Sequence, residues 1–277
     1  MSEQTQELQI LSDSPLEQIT RAEIDSQIAT AKRYPRNLSQ VRDRVLTLAT
    51  IDEETAKDCF YARPVGGGKV ASGESVRMAE ILNASYGNTK AAWRPISIDR
   101  VHGVVTCQGV CHDLETNTST SLEKSRQVQK KRGADTFDEH MIELAVNACG
   151  AIAYRDAVFK TIPKAIIKSL LPQIKEAARG KGTLDQKVDR IVNRLIEIGE
   201  QNGVKKEVAE KRVLAAVECK RRNEIDIAKL DILIGMGTSI KDGEMRFADL
   251  FPTEQKPPNL PGQQPGKPGQ DEEGGEQ

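Results

Sequence analysis

Aromatic side chains are scarce in this chain. Phe, Tyr and Trp together make up 4% of its 277 residues, and there is a single tryptophan. With 38% of residues hydrophobic all the same, the core must come from Ala, Ile, Leu and Val, a balance that marks a helix-rich folded protein rather than a disordered one. Long apolar runs are missing too: none approaches the roughly 18–20 residues that a bilayer-spanning helix needs. The opening MSEQTQELQILSDS is polar and lacks the apolar centre of a signal peptide. A soluble protein of the cytoplasm, with no membrane partner, is expected. Cysteine is sparse and odd in number (Cys59, Cys107, Cys111, Cys149, Cys219), which excludes the disulfide framework of a small secreted domain. The three histidines, His102, His112 and His140, stand in no recognisable catalytic motif.

Net charge is nearly absent at −1, but it is unevenly spread. Residues 60–182 hold 18 Lys and Arg against 12 Asp and Glu, a surplus of +6 between net-acidic flanks. A basic middle of this kind points to a polyanion as partner.

The pattern divides the chain into four parts: a loose N-terminus (1–13), a core (14–182), a helical unit (183–251) and a disordered Pro/Gly-rich acidic tail (252–277). Helical spacing of Leu16, Ile19, Ile24 and Ile28, then Val41, Val45 and Leu48, predicts two helices parted by Pro35. Thr50 with Glu53 reads as a capping box for a helix reaching Tyr61. The stretch VGGGKVASGESVRMAE (65–80) reads as a flexible turn entering a helix that runs to about Ser85. Beyond it the period changes to two. KAAWRPISIDRV, GVVTCQGVCHDLE and STSLEKSRQVQKK predict three strands, with turns at His102-Gly103 and Thr116-Asn117. A long helix from about Phe137 meets Pro163, and four helical segments follow a boundary at Gly180–Gly182. Strands grouped together rather than alternating with helices give the α+β class: a three-stranded antiparallel meander flanked by long helices, with a C-terminal helical appendage.

The glycine stretch invites comparison with a phosphate-binding loop. Counting back from Gly68-Lys69, the leading glycine of a P-loop is Arg63, and Val70 stands where the Mg²⁺-binding hydroxyl belongs. What remains is a helix entrance where Lys69, Ser72 and Arg77 would receive an anion. Cys107 and Cys111 share a strand face with His112 on the other, a spacing that fits buried cysteines better than zinc ligands. Asp113 and Glu115 could share a face, as a metal-dependent nuclease needs, yet they sit beside a turn where solvated carboxylates are ordinary.

The segment EKSRQVQKKRG carries more information. In a strand, Lys124, Arg126 and Lys130 share one parity, spaced about 6–7 Å apart, close to the phosphate spacing of an extended single strand. Lys131 and Arg132 extend the charge. The apolar helix AIAYRDAVFKTIPKAIIK adds Arg155 and Lys160, with Asp156 as a nearby partner for a buried cation. Tyr86, Trp93 and Tyr154 are candidates for stacking on bases.

Three stretches together resemble the phage single-strand annealing recombinases typified by RecT and Red-beta: VTCQGVCHDLETNTSTSLEKSRQV leading into the basic segment, ELAVNACGAIAYRDAVFKTIPKA with Arg155, Lys160 and Pro163 in the matching places, and LIGMGTSIKDGEMRFADLF. The resemblance covers about residues 60–180, and 185–251 loosely. It implies a helix-flanked meander assembling into rings or helical filaments. Single-stranded DNA and the annealed duplex would lie in a basic groove, with no ATP, no cofactor and no covalent chemistry. Residues 184–251 would then recruit a single-strand-binding protein or a phage exonuclease. A nuclease using Asp113 and Glu115, or a scaffold with no nucleic-acid role, are the competing expectations.

Overall fold

A computed structural model describes residues 15–66, 69–128 and 137–252. Pro35 parts α1 (Pro15–Arg33) from α2 (Leu38–Ala49), as the periodicity predicts. The next helix is shorter than expected. Asp52, not Thr50, caps α3 (Glu53–Asp58) by accepting from the Thr55 N–H at 2.7 Å, and the chain turns extended at Phe60.

The glycine stretch is a β-hairpin, which corrects the reading of a loop entering a helix. β1 (Phe60–Gly66) pairs antiparallel with β2 (Lys69–Glu74), Tyr61 opposite Gly73 and Ala62 opposite Ser72. Gly67 and Gly68 lie outside the described residues. Helix α4 (Val76–Tyr86) begins only after the hairpin. Its cap is Ser75, whose hydroxyl accepts from the Met78 N–H and donates to the Asp58 carbonyl.

The meander follows as expected: β3 (Thr89–Asp99), β4 (Val104–Asp113) and β5 (Thr118–Gln127), in that order across one antiparallel sheet. Its turns use Gly103 and Asn117 at φ of 65° and 53°, conformations that glycine and asparagine tolerate best. Burial alternates along β4: Val105, Cys107, Gly109, Cys111 and Asp113 turn inward. Helix α5 (Glu139–Thr161) lies across that face. Gly109 makes this possible, because a Cβ there would stand 2.1 Å from the Ala153 carbonyl oxygen. Pro163 ends α5 instead of kinking it, and α6 (Ala165–Lys168) and α7 (Leu171–Arg179) continue.

Helices α8 (Leu184–Gln201), α9 (Lys206–Ala215), α10 (Ile227–Lys241) and α11 (Phe247–Leu250) share a core around Val192, Leu195, Leu230, Leu233 and Phe247. Ala62 of the hairpin belongs to that same core, and Val70 packs against it. The fit is close: a Cβ on Gly235 would come within 2.7 Å of the Tyr61 backbone. Around it Ser239 donates to the Ala62 carbonyl (3.1 Å), Thr238 to the Lys57 carbonyl (3.0 Å), and Arg179 grips Asp231 with two hydrogen bonds of 2.7 and 2.9 Å. The C-terminal helices therefore share packing with the hairpin.

Helix α8 opens with a reciprocal capping box: the Gln186 N–H donates to Thr183 Oγ1 at 3.4 Å, and the Thr183 N–H donates to Gln186 Oε1 at 3.1 Å. Thr183→Ala is expected to cost about 1 kcal/mol. A urea midpoint shifted down at unchanged slope would record it, and an unshifted midpoint would show that the cap is dispensable.

Candidate nucleic-acid interface

The cations expected on β5 share a face, but it is the face that α5 covers. Lys124 lies opposite Cys107, and Arg126 opposite Val105, both buried. The shared parity of Lys124 and Arg126 is as expected, and it turns both toward α5. Arg126 serves the fold: its Nη2 donates to the Glu244 carbonyl at 2.6 Å. Lys130, Lys131 and Arg132 lie outside the described residues.

Lys124 reaches past the edge of α5 to Asp156, with Nζ 2.8 Å from Oδ2. The other carboxylate oxygen holds Arg155, whose Nη2 is 3.0 Å away. The guanidinium carbon of Arg155 then sits 4.6 Å from the Tyr61 ring centroid on β1, a cation–π contact. Beneath the ring is Gly73, where a Cβ would be tight against Tyr61 Cε1 at 3.3 Å. By strand alternation Arg63 on β1 and Lys69 on β2 share the Tyr61 face of the hairpin, while Ala62 and Val70 on the other face pack against the C-terminal core. Arg63 and Lys69 are both exposed.

Arg63 and Lys69 on the Tyr61 face, with Arg155 over Tyr61 and Lys124 beside it on Asp156, define a seam that runs from the hairpin to α5 and β5. Burial opposes ionisation of Asp156, but the Lys124 hydrogen bond and the Arg155 charge outweigh it and hold the carboxyl below its ordinary value. A surplus of positive charge on rigid strands and a helix can hold an anionic backbone without moving.

The remaining expected residues fall elsewhere. Ser72 is on the opposite hairpin face from Lys69 and caps no helix; that role belongs to Ser75. Arg77 pairs with Glu80 at 2.9 Å and lies 3.9 Å from Asp242, beside a different cleft. Lys160 is exposed in the last turn of α5. Among the aromatics, Tyr86 is buried with the Arg36 guanidinium 3.8 Å from its ring centroid, which leaves no face for a base. Trp93 and Tyr154 line the Arg77 cleft. Sequence reasoning missed Arg63 and Tyr61 because it placed both outside any strand.

Asp113 and Glu115 are close together, and Arg36 holds both. Arg36 Nη1 donates to Asp113 Oδ2 at 2.7 Å and Nη2 to Oδ1, while Arg36 Nε is 3.1 Å from Glu115 Oε2. Burial works against the Asp113 charge, but the Arg36 hydrogen bond, the Glu115 N–H and the Arg36 charge prevail, and the carboxyl lies below its usual value. A pair closed by an arginine does not present its oxygens to a metal. Cys107 and Cys111 are buried, and burial, with a contribution from Cys149, pushes the Cys107 thiol up to about 12. His112 turns the other way and pairs with Asn117 at 3.1 Å. Among the described residues no group of three or more His, Cys, Asp and Glu side chains is arranged to hold a metal, and no helix is long and apolar enough to cross a membrane.

The protein is of the α+β class, with a helix-backed meander and a hairpin that meets α5 where Arg155 lies over Tyr61. The chain matches no family model, no curated protein and no solved structure.

Proposed function

We propose that the chain binds single-stranded DNA without sequence preference along the Lys69–Arg63–Arg155–Lys124 seam and anneals complementary strands without ATP. The observation that carries this reading is the Lys124–Asp156–Arg155 cluster lying over Tyr61, on the hairpin face that also carries the exposed Arg63 and Lys69. Phosphates engaged by Lys and Arg leave base edges free, as pairing with a second strand requires. The likeness of the meander, the Arg155-bearing helix and the C-terminal sequence to the annealing recombinases supports the same reading. It adds assembly into a homo-oligomeric ring or filament, work in a host cytoplasm, and a role for residues 184–251 in recruiting a single-strand-binding protein or an exonuclease.

The test is anisotropy of a labelled mixed-sequence oligonucleotide at several salt concentrations. Lys124→Gln/Arg155→Gln is expected to weaken binding uniformly across sequences and to lower the salt slope by about 1.4, roughly 0.7 for each single-strand phosphate no longer neutralised. Arg63→Gln/Lys69→Gln, at exposed positions, is expected to do the same with the fold intact. Unchanged affinity and slope in both pairs would remove the seam from the interface. In the same tubes, complementary strands should pair faster with protein and no nucleotide. Shortened products with Mg²⁺ or Mn²⁺ would instead return the nuclease reading.

A further inference from the structure

A second cleft, of about 640 Å³, opens between the start of α4, β3, the outer face of α5 and the turn after α10. Its charge is opposite to that of the seam. Glu80, Asp242 and Glu244 line it, and among the described residues Arg77 is the single cation facing them. Arg77 is already shared between Glu80 and Asp242. Glu244 is the unusual member. It is only 7% exposed, and its carboxylate has no hydrogen bond or ion pair among the described residues; only its backbone carbonyl is engaged, by Arg126. Its carboxylate is not sealed away but lines a cleft open to solvent, where an incoming cation can reach it. The neighbouring carboxyl feels the same want of positive charge: burial first, then repulsion from Glu244, holds Asp242 above its ordinary value despite Arg77.

The other walls define what would complete the site. Trp93 lies flat against α5, where a Cβ on Gly150 would meet its ring at 2.1 Å, and it stays 36% exposed at the mouth. Leu144, Ala148, Ala151 and Tyr154 supply apolar surface. An aliphatic stem ending in a cation matches both halves of this lining, the stem along the alanines and leucine, the head at Glu244 with an aromatic face beside it.

We infer that this cleft is a binding site for an arginine or lysine side chain presented by another polypeptide, with Glu244 as the anchoring carboxylate and Trp93 as the aromatic wall. The cleft's acidity repels a phosphate backbone, so this site is separate from the seam and stands whether or not the seam binds DNA.

Trp93 is the one tryptophan of the chain, so its emission reports the cleft directly. The full-length protein is titrated with acetyl-Gly-Arg-Gly-amide, acetyl-Gly-Glu-Gly-amide and a thymidine oligonucleotide. The arginine peptide is expected to change the emission saturably and the glutamate peptide and oligonucleotide to leave it unchanged. Glu244→Gln should weaken the arginine response at least tenfold. So should Leu144→Lys, which puts a tethered cation at a mouth position already 48% exposed and keeps the test valid if the buried variant folds poorly. A separate arm raises the concentration of protein alone. The same emission change with larger particles, abolished in Glu244→Gln, identifies a second copy as the source of the cation; no change on self-concentration assigns it to a different protein. No response to the arginine peptide, or an equal response in Glu244→Gln and Leu144→Lys, overturns the site.

Discussion

Gly109→Ala is expected to destabilise the fold by about 3 kcal/mol, the upper range for forcing a methyl into a packed interior. The added carbon would lie 2.1 Å from the Ala153 carbonyl oxygen and 2.4 Å from its carbon. Both are backbone atoms of α5, so no rotamer change relieves the clash. Sheet and helix must separate, and the layer of Val105, Cys107, Ile142, Cys149 and Ala153 between them loses its close packing. Gly87→Ala is the matching control. Its φ of +67° penalises a side chain, but nothing lies within 4 Å of the new Cβ, so about 1–2 kcal/mol is expected there. Urea unfolding of both variants decides the matter. A Gly109→Ala loss no greater than the control's would mean that α5 does not approach β4 this closely.

Arg36→Met should cost about 3–5 kcal/mol at neutral pH, because it strands the Asp113 carboxylate in a site where the two side chains are 7% and 6% exposed. The Arg36 backbone N–H would still donate to Glu115 at 3.0 Å, so only the side-chain contribution is lost. The pH dependence has a definite sign. Asp113 titrates lower in the folded chain than in the unfolded one, where a carboxyl sits near about 3.9. Its stabilising pair with Arg36 is therefore fully present above that value and is lost as pH falls through the lower folded value. The gap between wild type and Arg36→Met should accordingly be widest near neutrality and narrow in acid. Removing both charges, in Arg36→Met/Asp113→Leu, should recover much of the loss, since an apolar pair of similar size often serves as well as a buried ion pair. Single and double variants equally destabilised across pH would defeat this account.

The meander was legible because each strand announces itself twice, by alternation and by a turn residue that accepts positive φ, Gly103 or Asn117. The hairpin was not. In FYARPVG and KVASGE the inward side chains are as small as Ala62, the partner of Tyr61 is a glycine, and Pro64 interrupts the run. Nothing in that composition alternates by hydrophobicity. Its strands are held by a helix far along the chain, a relation that no local window contains. The site was half visible for the same reason. Arg155 and its neighbour Asp156 are adjacent in sequence and could be paired on paper, and Lys124 was singled out by parity. That the parity turned Lys124 toward α5, and that Tyr61 came to meet Arg155, depended on how three elements stack. The buried carboxylate of Glu244 gave no signal at all, because a glutamate after a Lys-Asp-Gly turn reads as solvated.

The hairpin's reliance on α10 also bears on how the chain is made. Ala62 and its hydrogen-bond donor Ser239 are 177 residues apart, an interval of roughly 10–35 s at about 5–20 residues per second of synthesis. For that time the nascent hairpin has left the ribosome with its α10-facing side, Ala62 and Val70, uncovered, and two strands alone are marginal in water. The cationic face of the hairpin is thus fixed in place only when the last helices arrive, so a polypeptide released early would carry Arg63 and Lys69 on strands with nothing behind them.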